Sequence, residues 1–161
     1  MTTVYSIGHS NHEMAAFIAL LCEHNIALLA DVRSQPYSRY ASQFNRESLA
    51  RALAAHGIAY RHMGNTLGGR PTDDELLSPD SSVDYDKLRQ NEGFEGGLGE
   101  LVTLAESQPT VIMCSEGDHH SCHRHLLITP ALLIRNVTVL HIQPDGTLIN
   151  AATEPRQLTL F

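Results

Sequence analysis

The residues best able to do chemistry crowd into one run, Cys114-Ser-Glu-Gly-Asp-His-His-Ser-Cys122-His-Arg-His125. It combines thiols, imidazoles, carboxylates and a guanidinium within a dozen positions. Cys122-His123-Arg124 falls where a helix is expected to begin. There the unpaired amides and the macrodipole favour an anion, either a bound phosphate or a thiolate. Cys122 or Cys114 would then be the nucleophile, His123 would exchange a proton with the thiol or a substrate, and Arg124 would clamp an oxyanion. Two more polar groups, Gly8-His9-Ser10 and Asp31-Val32-Arg33-Ser34, each close an apolar run. A charge ending a buried strand is costly unless paired, so Asp31 either meets Arg33 or serves a site. His9, Asp31, Glu116 and His123 are thus the candidate acid/base groups, and Arg33, Arg39 and Arg124 the candidate phosphate ligands.

Other chemistries fit the spacing less well. Zinc held by Cys114, Cys122 and two histidines, such as His119 and His120, is chemically reasonable. However, the step between the cysteines is longer than the usual C-x₂₋₄-C hook, so no metal is expected. A cysteine-phosphatase or rhodanese-type loop places Arg six positions after its Cys, and position 120 is His120. Gly68-Gly69 is not G-x-G-x-x-G, and no G-x-x-x-x-G-K-[ST] occurs, so neither a nicotinamide cofactor nor a P-loop is expected. Cys22 lies on the apolar stripe of a helix and is expected to be packing.

The elements that must position these groups alternate. Val4–Ile7 reads as a strand, and Asn11 is placed to cap a helix reaching about His24, with Met14, Phe17, Ile18, Leu21 and Cys22 at helical spacing. Ile26–Val32 reads as a strand covered on both faces. Asn45 is placed to cap a second helix with Leu49, Leu53 and Ala54 inward, and Gly57 to end it. Ile58–His62 is a third strand, and 64–82 an irregular excursion. Helices are expected at about Val83–Gln90 and Glu95–Glu106, and a fourth strand at Thr110–Cys114. A helix begins near Ser121 and is kinked or restarted at Pro130. Val137–Ile142 is a fifth strand, followed by a turn at Asp145-Gly146. This order predicts one Rossmann-like α/β domain over residues 1–149, a mostly parallel sheet of about five strands with helices on both faces. Ligands of such sheets bind beyond the carboxyl ends of the strands, where all three polar clusters fall.

With 161 residues, 42% hydrophobic and 18% charged, the chain has the composition of one globular domain. No apolar run approaches a membrane span and no signal-peptide layout is present, so cytoplasmic free thiols are expected. The net charge is −7, but it is uneven: residues 73–118 hold twelve acids against two cations, whereas from Arg33 to Arg70 the only acid is Glu47. The loop Arg33–Asn45 interleaves Arg33 and Arg39 with Tyr37, Tyr40 and Phe44. That pattern suits single-stranded nucleic acid; the alternative is that these rings simply cover the core beneath a long loop.

Ser6-Ile-Gly-His-Ser10, Asp31-Val-Arg-Ser34 with Pro36, Gln43-Phe44-Asn45, Gly57-Ile58 with Tyr60, Leu67-Gly-Gly69, Cys114-Ser-Glu116 and Cys122-His-Arg124 follow one another in order. Together they resemble the bacterial family called domain of unknown function 488, over about residues 4–142. The resemblance implies an α/β domain with its site at these motifs and names no reaction. Family members commonly carry Cys-Ala-Glu where this chain has Cys114-Ser-Glu116.

Residues 150–161 form a tail with no helical period and a breaker at Pro155, expected to be mobile. Its end, Gln157-Leu158-Thr159-Leu160-Phe161, resembles the Q-L-x-L-F peptide that docks bacterial replication and repair proteins on the DNA sliding clamp. Leu160 and Phe161 would fill an apolar groove, Leu158 would add a contact and Gln157 would bond at the rim. Four specified positions match by chance in on the order of one chain in 400 of this length. The function expected is therefore action on, or sensing of, a phosphate-bearing nucleotide or nucleic acid in DNA repair or replication. Hydrolysis, group transfer, and a non-catalytic adaptor or small-molecule-binding role all fit the residues.

Overall fold

The computed structural model describes residues 2–68, 91–116 and 127–153. Six strands form one sheet: β1 (Thr3–Gly8), β2 (Leu28–Asp31), β3 (Ala59–His62), β4 (Thr110–Cys114), β5 (Thr138–Ile142) and β6 (Leu148–Asn150). Their spatial order is β3-β2-β4-β1-β5-β6, parallel except for β6, which runs antiparallel to β5. Thus the expected mostly parallel α/β sheet is present, extended by a short edge strand that follows the turn at Asp145-Gly146. The paired backbone continues past the expected domain end, since the amide of Ala151 still bonds the carbonyl of Val139 at 2.9 Å.

The apolar pattern explains which strands are central. All residues of β2 and β4 are buried, as continuous apolar runs must be when both faces are covered, whereas the edge strand β3 alternates between exposed and half-buried. The helices α1 (Met14–Glu23) and α2 (Arg46–Ala55) cover one face, where Phe17, Ile18, Leu21, Leu49 and Leu53 pack on Ile7, Leu29, Val111 and Met113. On the opposite face lie α3 (Gly64–Leu67), α4 (Glu92–Ser107) and α5 (Thr129–Ile134). There Leu67, Phe94, Leu98, Leu101 and Leu132 pack on Val4, Ala30, Ile112 and Val139.

Several local expectations are corrected. Asn11 sits in the turn before α1, whose N-cap is Glu13. The buried stripe of α1 stops at Leu21, leaving the Cys22 thiol exposed rather than packed. Asn45 does occupy the N-cap of α2, but its side chain makes no cap bond, and Ala54 is exposed. Helix α4 begins at Glu92, where the Asn91 side chain accepts from the amides of Gly93 and Phe94. Pro130 falls in the first turn of α5, where its missing N–H is no loss. The helix expected at Val83–Gln90, the helix start near Ser121 and the C-terminal peptide lie outside the described residues.

The strand order contains a reversal. From β1 the chain steps to β2 and β3 on one side, then returns to β4 and crosses to β5 on the other. The helices that follow β1 and β2 therefore lie on one face, while α5, the described helix that follows β4, lies on the other. Such a reversal opens a crevice at the carboxyl edge of the sheet.

Candidate functional site

The three polar clusters meet at this reversal, because β2, β4 and β1 are neighbours. Pairing continues beyond the strand ends: the amides of His9 and Ser10 donate to the carbonyls of Cys114 and Ser115, at 2.9 and 2.8 Å, and that of Val32 to Met113 at 3.1 Å. Ser10 and Ser115 therefore lie side by side, both exposed, with exposed Glu116 next in the chain. Ser10 makes its turn with φ of 46°, a left-handed conformation uncommon for a residue with a Cβ.

On the α1/α2 face, the charge that ends β2 is fully paired. Arg33 grips Asp31 in a two-pronged contact, Nε to Oδ1 at 2.9 Å and Nη2 to Oδ2 at 2.8 Å. Asp31 Oδ1 also accepts from the backbone amide of Arg33 at 3.1 Å, and Oδ2 from the Tyr60 hydroxyl at 2.6 Å. Burial, followed by the bond to Asp31, raises the Tyr60 phenol well above its ordinary range. Arg33 Nη2 further donates to the carbonyl of Phe44 at 2.8 Å, and Nη1 points to His9 Nε2 at 3.3 Å. Four of the five guanidinium N–H groups are thus directed to protein acceptors, and only 4% of the residue is exposed.

The tautomer of His9 follows from its neighbours. A guanidinium only donates, so Nε2 must carry the lone pair, and Nδ1 carries the proton that bonds the Ser10 carbonyl at 2.7 Å. Burial is the main cause that lowers the His9 pKa to about 4, keeping the ring neutral beside Arg33. The ring stacks on Phe44, with centroids 4.7 Å apart and planes 17° from parallel. Phe44 in turn receives the edge of Phe17 at 4.9 Å.

Arg33 is held through its backbone as well. His62 Nε2 donates to the Arg33 carbonyl at 2.9 Å. Gly64 packs so tightly on that carbonyl that a Cβ there would collide with it, and Gly68 leaves no more room against Ser34. The roles of Phe44, Tyr60, His62 and Gly64 were not read from sequence. The usable signal was the alternation of Tyr60 and His62 on one face of β3, beside Asp31.

The remaining candidate residues divide between the faces. Cys114 is buried on the opposite side of the sheet, in the cluster with Val4, Ile112, Leu127 and Ile128, so it does not join His9 and Asp31. Arg39 is exposed in the loop after Arg33. Cys122, His123, Arg124, His119, His120, Gly69 and Gln157, Leu158, Leu160 and Phe161 lie outside the described residues. Among the described residues, no three His, Cys, Asp or Glu side chains are grouped to hold a metal, and no helix is long and apolar enough to cross a membrane.

A mostly parallel α/β domain with polar strand ends meeting at its strand reversal is the class that fold and site define. A family model described as "Domain of unknown function DUF488" matches residues 13–129, and the chain belongs to that family. The match includes the Asp31–Arg33 pair, Tyr60 and Cys114 but begins after His9. No curated protein and no solved structure matches the chain.

Proposed function

We propose that the protein acts on or senses a phosphate-bearing nucleotide or nucleic acid at the crevice over β1, β4 and β2, and does so at DNA in the cytoplasm. The observation that carries the reading is the meeting of three polar strand ends at the reversal of strand order, where α/β sheets receive ligands. In this reading the outward groups face the ligand: Ser10, Ser115 and Glu116 from the strand ends, with Cys122, His123 and Arg124 from the segment after β4. Arg33 has little fork left for a phosphate, so it becomes a positioning residue and Arg39 with Arg124 the phosphate ligands. The terminal peptide Gln157-Leu158-Thr159-Leu160-Phe161 would recruit the domain to the sliding clamp, where tethering raises its local concentration.

Sensing without turnover is the second reading, and one observation favours it: both ring nitrogens of His9 are engaged within the protein. Alkylation separates the two, with exposed Cys22 as the internal reference. An activated Cys122 reacts faster than Cys22 across pH 5–9 and is protected by nucleotide; equal rates together with full function of Cys122→Ala leave only sensing. Recruitment is tested with the full chain and purified clamp, where the wild type binds and a Leu160→Ala, Phe161→Ala chain does not. Equal, negligible binding by both chains removes the clamp.

A further inference from the structure

The loop between Arg33 and α2 has little regular structure, only the 3₁₀ turn Ser42–Phe44, yet hydrogen bonds tie its backbone at several points. The amide of Ser38 donates to Asn45 Oδ1 at 2.7 Å, and those of Tyr40 and Ala41 to Ser38 Oγ, both at 3.2 Å. The amide of Arg46 bonds the Pro36 carbonyl at 3.0 Å, and Gln43 Nε2 bonds the His12 carbonyl at 2.9 Å. Ala41 and Phe44 anchor the loop in the core. Bracing of this kind restricts the loop before a partner arrives, which lowers the cost of ordering it on that partner.

The outward side of this braced loop carries two exposed aromatic rings. Tyr40 is 94% exposed and Tyr37 57%. The alternative that these rings shield the core therefore holds for Phe44 alone. The Tyr37 hydroxyl donates to Glu47 at 2.9 Å, which fixes the orientation of its ring. Exposed Arg39 lies between the tyrosines in sequence, and exposed Arg46 opens α2 beside Tyr37 and Glu47. Neither arginine makes an ion pair among the described residues. From Ser34 to Tyr40 the one aliphatic side chain is that of Pro36, which is buried, so an apolar peptide would find no hydrophobic floor there.

We propose that this loop is a binding surface for single-stranded nucleic acid, with Tyr40 and Tyr37 stacking on bases and Arg39 and Arg46 meeting phosphates. Stacking on a free-standing ring needs an unstacked base, so a duplex is a poor ligand; the arginine fork suits a phosphate diester. The proposal deepens the reading above by naming the ligand class, and rests on it only for the expectation of a phosphate-bearing partner. DNA and RNA share this chemistry.

The test is fluorescence anisotropy of the full chain with a short labelled oligothymidylate, an oligouridylate of the same length, and a duplex, over a range of salt. Single strands bind in preference to the duplex, and the two single-stranded arms identify the sugar preferred. Tyr40→Ala weakens binding roughly ten-fold, as expected for one lost stacking partner, with an unchanged melting temperature because the ring is exposed. Tyr40→Phe retains affinity, and Arg39→Ala lowers the slope of log affinity against log salt by about 0.7. Equal affinity of wild type and Tyr40→Ala, salt-independent binding, preference for duplex, or no binding overturns the proposal. If oligonucleotides fail while a mononucleotide still protects Cys122 from alkylation, the loop assignment falls and the crevice reading stands.

Discussion

His9 at the end of β1 and Phe44 in the loop after β2 lie face to face, 4.7 Å apart, with Arg33 bonded to the His9 ring and to the Phe44 carbonyl. This three-way contact joins two strand ends that are separated in the sheet by β4. It also fixes one end of the loop that presents Tyr37, Arg39 and Tyr40. The buried network thus acts on the surface by holding its scaffold.

The His9 contact makes stability depend on pH. The ring titrates near pH 4 when folded, against an ordinary value of 6.5, because burial and the neighbouring Arg33 oppose its charge. Between these values the unfolded chain takes up the proton first, so stability falls as pH drops from about 6.5 toward 4 and is insensitive to His9 above that window. His9→Gln keeps an acceptor for Arg33 and removes the titration. It is less stable than wild type at neutral pH, and the gap closes by on the order of 3 kcal/mol toward pH 4. Urea unfolding at several pH values measures this; parallel curves for the two proteins contradict it.

Removing one partner of the Asp31–Arg33 pair leaves a charge stranded, since both side chains are almost wholly buried. Asp31→Asn is expected to lose about 3–5 kcal/mol. Tyr60→Phe deletes a single bond to the same carboxylate and should lose only about 1 kcal/mol. Denaturant titration of both variants checks the ordering, and a cost for Tyr60→Phe equal to that of Asp31→Asn is the contrary result.

The legibility of the site in the sequence follows the range of the interactions. A charge at the end of an apolar run marked Asp31, and polar clusters closing apolar runs marked Gly8-His9-Ser10 and Cys114-Ser115-Glu116 as parts of the same edge. Both consequences of strand order were invisible: that β4 sits between β1 and β2, and that Cys114 faces α4 and α5 while His9 faces α1 and α2. Alternation along β4 gives two parities but not which helices cover each, because crossover direction is decided by packing far along the chain. At three residues, β6 is too short to show a period. Cys22 fits the helical spacing, but the buried stripe of α1 is narrower than the apolar one.

Asn45 separates local propensity from tertiary demand. It stands at the N-cap of α2, but its side chain accepts from Ser38 at 2.7 Å instead of from the helix. Asn45→Ala should therefore cost about 1 kcal/mol and act on the loop. Amide exchange at Ser38 and Tyr40 is expected to quicken while the interior of α2 keeps its protection. Faster exchange in the first turn of α2 alone would instead mark Asn45 as an ordinary cap.

Two glycines give opposite outcomes for the same substitution. At Gly64 a Cβ would strike the Arg33 carbonyl and approach His62 Nε2 within 2.7 Å, and neither neighbour is free to retreat. The carbonyl belongs to the residue that grips Asp31, and the imidazole is bonded to that carbonyl. Gly64→Ala must displace the loop or α3, at a cost of about 3 kcal/mol, with faster amide exchange at Arg33 and Ser34. At Gly96, in the second turn of α4, a Cβ meets nothing within 4 Å. Gly96→Ala gains helix propensity and restricts the unfolded chain, so it is expected to stabilise by about 1 kcal/mol. Thermal or urea unfolding of the two single variants reads out both signs. A tolerated Gly64→Ala would show that the Arg33–Ser34 backbone can move, and that the network around Asp31 does not hold the loop in place.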